Sequence, residues 1–141
     1  MKIKIKKLRP NAKMPTQGTK SAAGFDLYYA GDNNALIQQH DTIRLQTGLA
    51  FEIPEGYCGV VYSRSSTALK GLAITPLVVD SDYRGEVYVT VRNTHNVPYI
   101  VCVGDRLAQI KIEKLEPTNF VWADELSETT RGTGGYGSTG R

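Results

Sequence analysis

The chain predicts an all-β domain of the sandwich, barrel or jelly-roll kind, and three observations carry that expectation. Apolar residues recur at period 2 over long stretches, most clearly Ile43, Leu45, Thr47, Leu49, Phe51 and Ile53. Segments of strand length are punctuated by turn signals such as Pro54-Glu55-Gly56 and Gly104-Asp105. Helical patterning is confined to Ser65–Lys70, with a weaker stretch at Ala123–Glu128.

Taken in order, Lys2, Lys4 and Lys6 alternate with Ile3 and Ile5, as on a strand with one solvated face. Charge on such a strand also discourages edge-to-edge pairing. Ala22-Ala23-Gly24-Phe25-Asp26-Leu27 sets a carboxylate between apolar residues. One strand is expected from Ile43 to Ile53 and a second from Tyr57 to Tyr62. The run Leu77-Val78-Val79 ends on Asp80, and Ser81-Asp82-Tyr83-Arg84-Gly85-Glu86 follows before Val87, Val89 and Val91 resume the alternation. Glu86–Asn93, Tyr99–Val103 and Leu107–Leu115 complete the strands, and no internal repeat is present.

The last eleven residues, Arg131–Arg141, hold five glycines and form a separate unit, giving a division into a body of residues 1–130 and an arm of 131–141. Such a segment loses too much backbone entropy to hold a shape alone, so a flexible arm is expected. Its Arg, Tyr, Ser and Thr side chains can bind anions and stack on a flat ring, which leaves a frayed tail and a ligand-ordered arm both open. Fully extended, the arm reaches about 36 Å at about 3.3 Å per residue, enough to cross onto a neighbouring subunit.

At 141 residues the chain builds one domain with a sizeable core. It contains no apolar run of membrane-spanning length, and its lysine-rich start is no secretory signal. Cys58 and Cys102 lie inside strand-like segments and read as buried thiols, which points to a reducing compartment such as the cytoplasm or the interior of an infected cell. A net charge of +3 is too small by itself to argue for nucleic acid as a partner, and none is expected.

Several segments carry chemistry. A carboxylate at the end of a buried strand is held in position and partly dehydrated, the conditions under which Asp80 can orient and deprotonate a water. Asp80-Ser81-Asp82 also has the composition of a simple turn. Ser63-Arg64-Ser65-Ser66-Thr67 offers one guanidinium, four hydroxyls and backbone N–H groups at a helix start, a cradle for phosphate. Gln109 is an amide among aliphatics in Gly104-Asp105-Arg106-Leu107-Ala108-Gln109-Ile110. His40 and His95 stand alone in loops, and neither a P-loop nor a nucleophile elbow is present.

In this order the five segments closely resemble the motifs of the trimeric dUTP pyrophosphatases (dUTPases). They are Ala23-Gly24-Phe25-Asp26-Leu27, Arg64-Ser65-Ser66, the Val78–Gly85 hairpin, Gly104–Gln109 and Arg131–Gly140, spanning nearly the whole chain. The resemblance implies a β jelly roll, the distorted barrel of the β-clip type, assembled as a homotrimer whose active sites are built from more than one subunit. It implies a dUTP diphosphatase that makes dUMP and pyrophosphate with Mg2+, keeping uracil out of DNA and supplying dUMP for dTTP synthesis.

The same resemblance assigns roles. Asp80 would activate the water that attacks the α-phosphorus, and Tyr83 would pack on the deoxyribose. The backbone at Val78 and Val79 would read uracil. Arg64, Ser65 and Ser66 would hold the triphosphate, with Ser65 near the α–β bridging oxygen and Gln109 on the α-phosphate. Asp26 would support Mg2+ through water, the ion being held mainly by substrate phosphates. Arg131 would bind the γ-phosphate, Tyr136 would stack on the base, and Gly137, Ser138 and Thr139 would close over the phosphates.

Some positions depart from the family pattern. Leu77 stands where the family has Gly, which bears on hairpin geometry and uracil selection. Ile74 stands where some members carry a uracil-contacting Asn, with Thr75 a weak substitute. Ser63 replaces a Pro and Tyr136 a Phe, both harmless. A dCTP deaminase, which shares the fold, would need a Glu at position 90 and Pro-Gly-Phe in the hairpin; Thr90 and Ser81-Asp82-Tyr83 occupy those places. A nucleotide-dependent binding or regulatory module on the same fold is the alternative from another class.

Overall fold

The computed structural model describes residues 1–135. Among them are eleven strands and one short helix, so the all-β expectation holds. The strands are β1 (Lys4–Lys7), β2 (Phe25–Tyr28), β3 (Ala35–Ile37), β4 (Thr42–Gln46), β5 (Leu49–Glu52) and β6 (Tyr57–Ser63). Helix α1 (Ser65–Leu69) follows, then β7 (Leu72–Ile74), β8 (Leu77–Val79), β9 (Tyr88–Asn93), β10 (Tyr99–Val101) and β11 (Arg106–Lys114). All pairings are antiparallel, in four small sheets ordered β1-β5, β3-β10, β2-β11-β6-β8 and β4-β9-β7.

The sheets close on one aliphatic core. Leu27, Val61 and Ile110 from the four-stranded sheet meet Leu45, Val89 and Val91 from β4 and β9, with Ile37 and Val101 from β3 and β10; all are essentially inaccessible. Alternation along each strand produces this: Val89 and Val91 point in, Thr90 and Arg92 do not. The longest pairing, β6 with β11, runs from Tyr57↔Lys114 to Ser63↔Ala108 and forms the spine of the sheet that carries the motifs.

The strand expected from Ile43 to Ile53 is two strands in two different sheets. Period 2 persists across Thr47 and Leu49, but Gly48 sits at φ +69 and turns the chain between β4 and β5. The Thr47 hydroxyl is buried and donates to the Val87 carbonyl at 2.6 Å, while Val87 N donates to the Leu49 carbonyl at 2.8 Å. The corner therefore grips the start of β9.

Two further expectations are corrected. Cys58 is buried, but Cys102 is exposed, because it follows inward-facing Val101 and takes the opposite face. Ala123–Glu128 forms no helix: regular structure ends at Lys114, and residues 115–135 lie almost wholly exposed. No helix among the described residues is long and apolar enough to cross a membrane.

Gly48 generates the first prediction. A Cβ there would come within 2.6 Å of the Ala12 Cβ and 3.0 Å of the Arg9 Cβ, at a φ that side chains rarely adopt. Gly48→Ala is expected to cost about 1–3 kcal/mol, read as a lowered midpoint in urea unfolding. An unchanged midpoint would show that the corner tolerates an ordinary residue.

Candidate active site

Antiparallel pairing gathers three of the motif segments at one end of the four-stranded sheet. Asp26 on β2 lies opposite Gln109 on β11, and Ser63 at the end of β6 lies opposite Ala108. A β-bulge in β11 between Arg106 and Ala108 shifts the register there. Bulges re-aim side chains, and here the Arg106 guanidinium reaches Asp26. The nearly buried Asp26 carboxylate accepts from Arg64 Nε at 2.7 Å through one oxygen and from Arg106 Nη1 at 3.4 Å through the other. Arg64 also donates to the Ser66 hydroxyl at 3.1 Å, and Gln109 Nε2 donates to the Ser63 carbonyl at 3.0 Å. Gln109 is thus a central-strand residue, flanked by β2 and β6, rather than an edge one.

The hydroxyls of the Ser63–Thr67 segment have different duties. Thr67 is buried and donates to the Leu107 carbonyl at 3.0 Å, fastening α1 to β11. Ser63 bonds locally to the Arg64 carbonyl. Ser65 and Ser66 stay exposed in the first turn of α1, where backbone N–H groups have no intrahelical acceptor. A cavity of about 290 Å3 opens here, lined among others by Arg64, Ser66, Lys70 and Arg106. Its cations and hydroxyls suit an anion.

The Asp80 hairpin builds a second cavity, also of about 290 Å3, with Val78, Val79, Asp80, Tyr83 and Glu86 in its wall. Strand β8 is the edge of its sheet, so one side of its backbone has no strand partner and can meet the polar edge of a flat ring. Leu77 continues β8 in ordinary strand geometry, pairs with Val61 and packs on the core, so the hairpin accommodates a side chain there. Ile74 is buried on β7 and faces the core instead of the cavity. Tyr83 folds back over Gly85, where a Cβ would collide with the phenol ring, and its hydroxyl donates to the Glu86 carbonyl at 3.0 Å.

Asp80 departs from the partly dehydrated setting expected of it. It follows β8 directly, yet its side chain is exposed within one chain, because β8 is only three residues long and Val78 is itself exposed. On the neighbouring strand, burial pushes the Cys58 thiol up, with the charges of Glu113 and Asp80 adding to the effect. Cys58 therefore stays protonated at neutral pH beside the carboxylate.

The two clusters do not meet. β8 pairs with the Gly59 end of β6, whereas Arg64 follows its Ser63 end. Four strand steps at about 3.3 Å separate Gly59 from Ser63, about 13 Å. Arg131 is exposed, its Nε donating to the Gly134 carbonyl at 3.0 Å. Tyr136, Gly137, Ser138 and Thr139 lie outside the described residues. Arg106, Glu86 and Gly85 are residues whose parts emerge only in three dimensions. For Arg106 the available signal was its place beside Asp105 at a strand start, and for Gly85 its spacing after Tyr83.

A family model for dUTPase matches residues 10–140. The deoxyuridine 5'-triphosphate nucleotidohydrolase of Nautilia profundicola is 42% identical over 144 residues, covering 100% of both chains. Among solved structures, the Staphylococcus bacteriophage 80alpha dUTPase with dUpNHpp superposes with a TM-score of 0.92 at 26% identity, covering 99% of each chain; phage dUTPases are described with it as controlling transfer of virulence genes by a G protein-like mechanism. A point mutant of the dUTPase from the Staphylococcus aureus phage phi11, described for its coordination of a structural Mg(II) ion, shares the fold at a TM-score of 0.83, with 23% identity over 91% of this chain and 100% of that one.

The Asp26 junction yields the second prediction. Asp26→Asn keeps the volume but leaves two guanidiniums without their shared anion. Arg106 is about half exposed and contributes little, so the loss rests on Arg64, at about 1.5–3 kcal/mol. Urea unfolding measures it; a loss below about 0.5 kcal/mol would mean that solvent replaces the carboxylate.

Proposed function

The chain belongs to the dUTPase family, and on that footing we propose that it hydrolyses dUTP to dUMP and pyrophosphate, withholding uracil from DNA and supplying dUMP for dTTP synthesis. The observation that carries the reading is the hairpin cavity, where Asp80, Tyr83 and the open backbone edge of β8 converge. Uracil reads as the base because backbone groups of Val78 and Val79 can pair with its edge. Tyr83, held down on Gly85, packs on the deoxyribose and leaves no room for a 2′-hydroxyl.

The chemistry is a single displacement. The Asp80 carboxylate takes a proton from a water as its oxygen attacks the α-phosphorus. The bond from that phosphorus to the α–β bridging oxygen breaks, and pyrophosphate departs. Asp80 is suited to this because an ordinary aspartate is ionised at neutral pH. Arg64, Ser65, Ser66 and Gln109 hold the phosphates, with Ser65 donating to the bridging oxygen as charge develops there. Arg131, Tyr136, Gly137, Ser138 and Thr139, the arm of residues 131–141, close over base and phosphates from outside the 1–130 body.

Mg2+ is the cofactor of this reading, and the residues fit an ion that arrives on the phosphates. Each Asp26 oxygen already accepts one guanidinium N–H but keeps a lone pair for a metal-bound water. The ion supplies charge neutralisation on the triphosphate. Asp26 positions Arg64 and Arg106 and accepts that water.

The reading includes a homotrimer with shared sites, and the separation of the two clusters supports the sharing. Asp80 and the Arg64–Ser66 cradle lie at opposite ends of β6, so one chain cannot set both on an α-phosphate. A neighbouring copy's cradle opposite the hairpin completes the site and shields Asp80. Phe120, Val121 and Trp122 are almost fully exposed in the single chain, an apolar run that calls for a partner surface. Free Cys58 and Cys102 support a reducing, cytoplasmic setting.

A nucleotide-dependent regulatory module is the second reading, favoured by the behaviour described for the 80alpha dUTPase. Tight dUTP binding without pyrophosphate release would select it. Deamination of dCTP finds no support, since Thr90 lines the hairpin cavity without a carboxylate.

Pyrophosphate release from dUTP, beside dCTP, dTTP and UTP with Mg2+ present, tests the reading directly. Release from dUTP alone is expected, and Asp80→Asn should lower kcat by at least about 10²-fold. A retained rate would remove Asp80 from its role. Deleting residues 131–141 should abolish turnover while the mass in sedimentation stays that of a trimer; normal hydrolysis by the truncated protein would make the segment a mere tail.

A further inference from the structure

The hairpin has two feet, and they are held differently. The leading foot, β8, is bound to β6 through backbone pairing from Gly59↔Val79 to Val61↔Leu77. The trailing foot, Glu86-Val87, precedes β9 and belongs to no strand. It is fixed instead by a polar clamp. One carboxylate oxygen of Glu86 accepts from Gly48 N and from Arg9 Nε, both at 2.9 Å, and the side chain is only 12% exposed. Beside it, the Thr47 hydroxyl and the Leu49 carbonyl hold Val87.

Tyr83 stands on this foot. Its hydroxyl donates to the Glu86 main-chain carbonyl, and its ring lies over Gly85. The main chain at Tyr83 is held separately, by its N–H on the Asp80 carbonyl at 3.2 Å and by Arg84 Nη1 on the Tyr83 carbonyl at 3.1 Å, so the hydroxyl bond to Glu86 is what ties the far end of the ring to this foot. A displacement of Glu86 is therefore transmitted to the aromatic wall that packs on the sugar. We propose that Glu86 is a positioning residue for nucleotide selectivity: its side chain pins the trailing foot to Gly48 and Arg9 and so sets Tyr83 against the 2′ position. The inference rests on the dUTP reading and deepens it by naming what enforces the rejection of ribonucleotides.

Charge is the smaller part of the clamp. Arg9 is partly exposed, so its attraction is screened, whereas the Gly48 N–H lies at a buried corner and needs an acceptor. Gln at position 86 can accept both bonds; Ala can accept neither.

The test compares kcat/KM for dUTP and UTP, with melting temperature measured alongside, for the parent and for Glu86→Ala, Glu86→Gln, Arg9→Gln and Ile37→Val. Glu86→Ala should raise the UTP-to-dUTP ratio by about 10- to 100-fold, since displacements near 1 Å carry penalties of that order. Glu86→Gln should stay within about threefold of the parent. Arg9→Gln, which leaves the Gly48 bond intact, should fall between them and keeps the test alive should Glu86→Ala fail to fold. Ile37→Val thins the core on β3, outside the hairpin and its clamp, and should lower the melting temperature without moving the ratio. An unchanged ratio in Glu86→Ala, or ratios that merely track melting temperature across all variants, would overturn the proposal. A parent that does not hydrolyse dUTP would overturn the function itself, a distinct outcome.

Discussion

Strand β6 is the constraint on which the rest of the molecule depends. It lies inside the four-stranded sheet, with β11 on one side and β8 on the other. Its Ser63 end delivers Arg64 to Asp26, and its Gly59 end receives the strand that presents Asp80. A strand cannot shorten, because its rise per residue is fixed by backbone geometry. The basic cradle and the carboxylate are thus held apart by the same element that makes each rigid. Under the proposed shared site, a neighbouring copy would supply the missing cluster without deforming either one.

The motifs were legible in the sequence because each juxtaposes unlike residues within a few positions. Asp80 after an apolar run, Arg64 among hydroxyls and Gln109 among aliphatics all break the pattern around them. What the sequence hid was mostly topology. The period-2 signal through Thr47 and Leu49 continues across Gly48 as if nothing intervened, yet a positive φ at that glycine sends β4 and β5 into different sheets. Strands β3 and β7 are only three residues long, too short for alternation to register. The exposure of Cys102 was hidden for a related reason, since the parity of a short strand is set by a neighbour the sequence does not name. Ala123–Glu128 has helix-forming residues but no surface within the chain to pack against, and isolated helical turns are not stable in water.

Asp26 shows why chemistry inferred from residue type needs geometry. A carboxylate near a triphosphate invites assignment as a metal ligand. Here each of its oxygens meets a guanidinium, one from the helix start and one from the bulged strand. A carboxylate so used organises two cations more than it attracts a third. On the proposed reading this suits a substrate that carries its own divalent ion, for which the protein would need fixed positive charge and fixed hydroxyls, with Asp26 holding Arg64 in place.

Reading a base through main-chain groups places a particular demand on rigidity. A side chain can adjust to a ligand by rotating about its own bonds, whereas backbone N–H and C=O groups move only if the chain moves. On the proposed reading, selectivity at β8 is therefore as sharp as the hairpin is stiff. Backbone pairing supplies that stiffness at Leu77–Val79 and makes a glycine there dispensable, because Leu77 lies in ordinary strand geometry with its side chain half-buried against the core. The other foot has no strand ladder, only the single main-chain bond from Val87 N to the Leu49 carbonyl, and there the chain must leave Gly85 with the tyrosine ring folded over it. The Glu86 carboxylate on the Gly48 N–H and the Thr47 hydroxyl on the Val87 carbonyl make up the rest of the hold. The trailing foot is thus held largely by side chains where the leading foot is held by a ladder, and β8 keeps its outer side as the edge of the sheet.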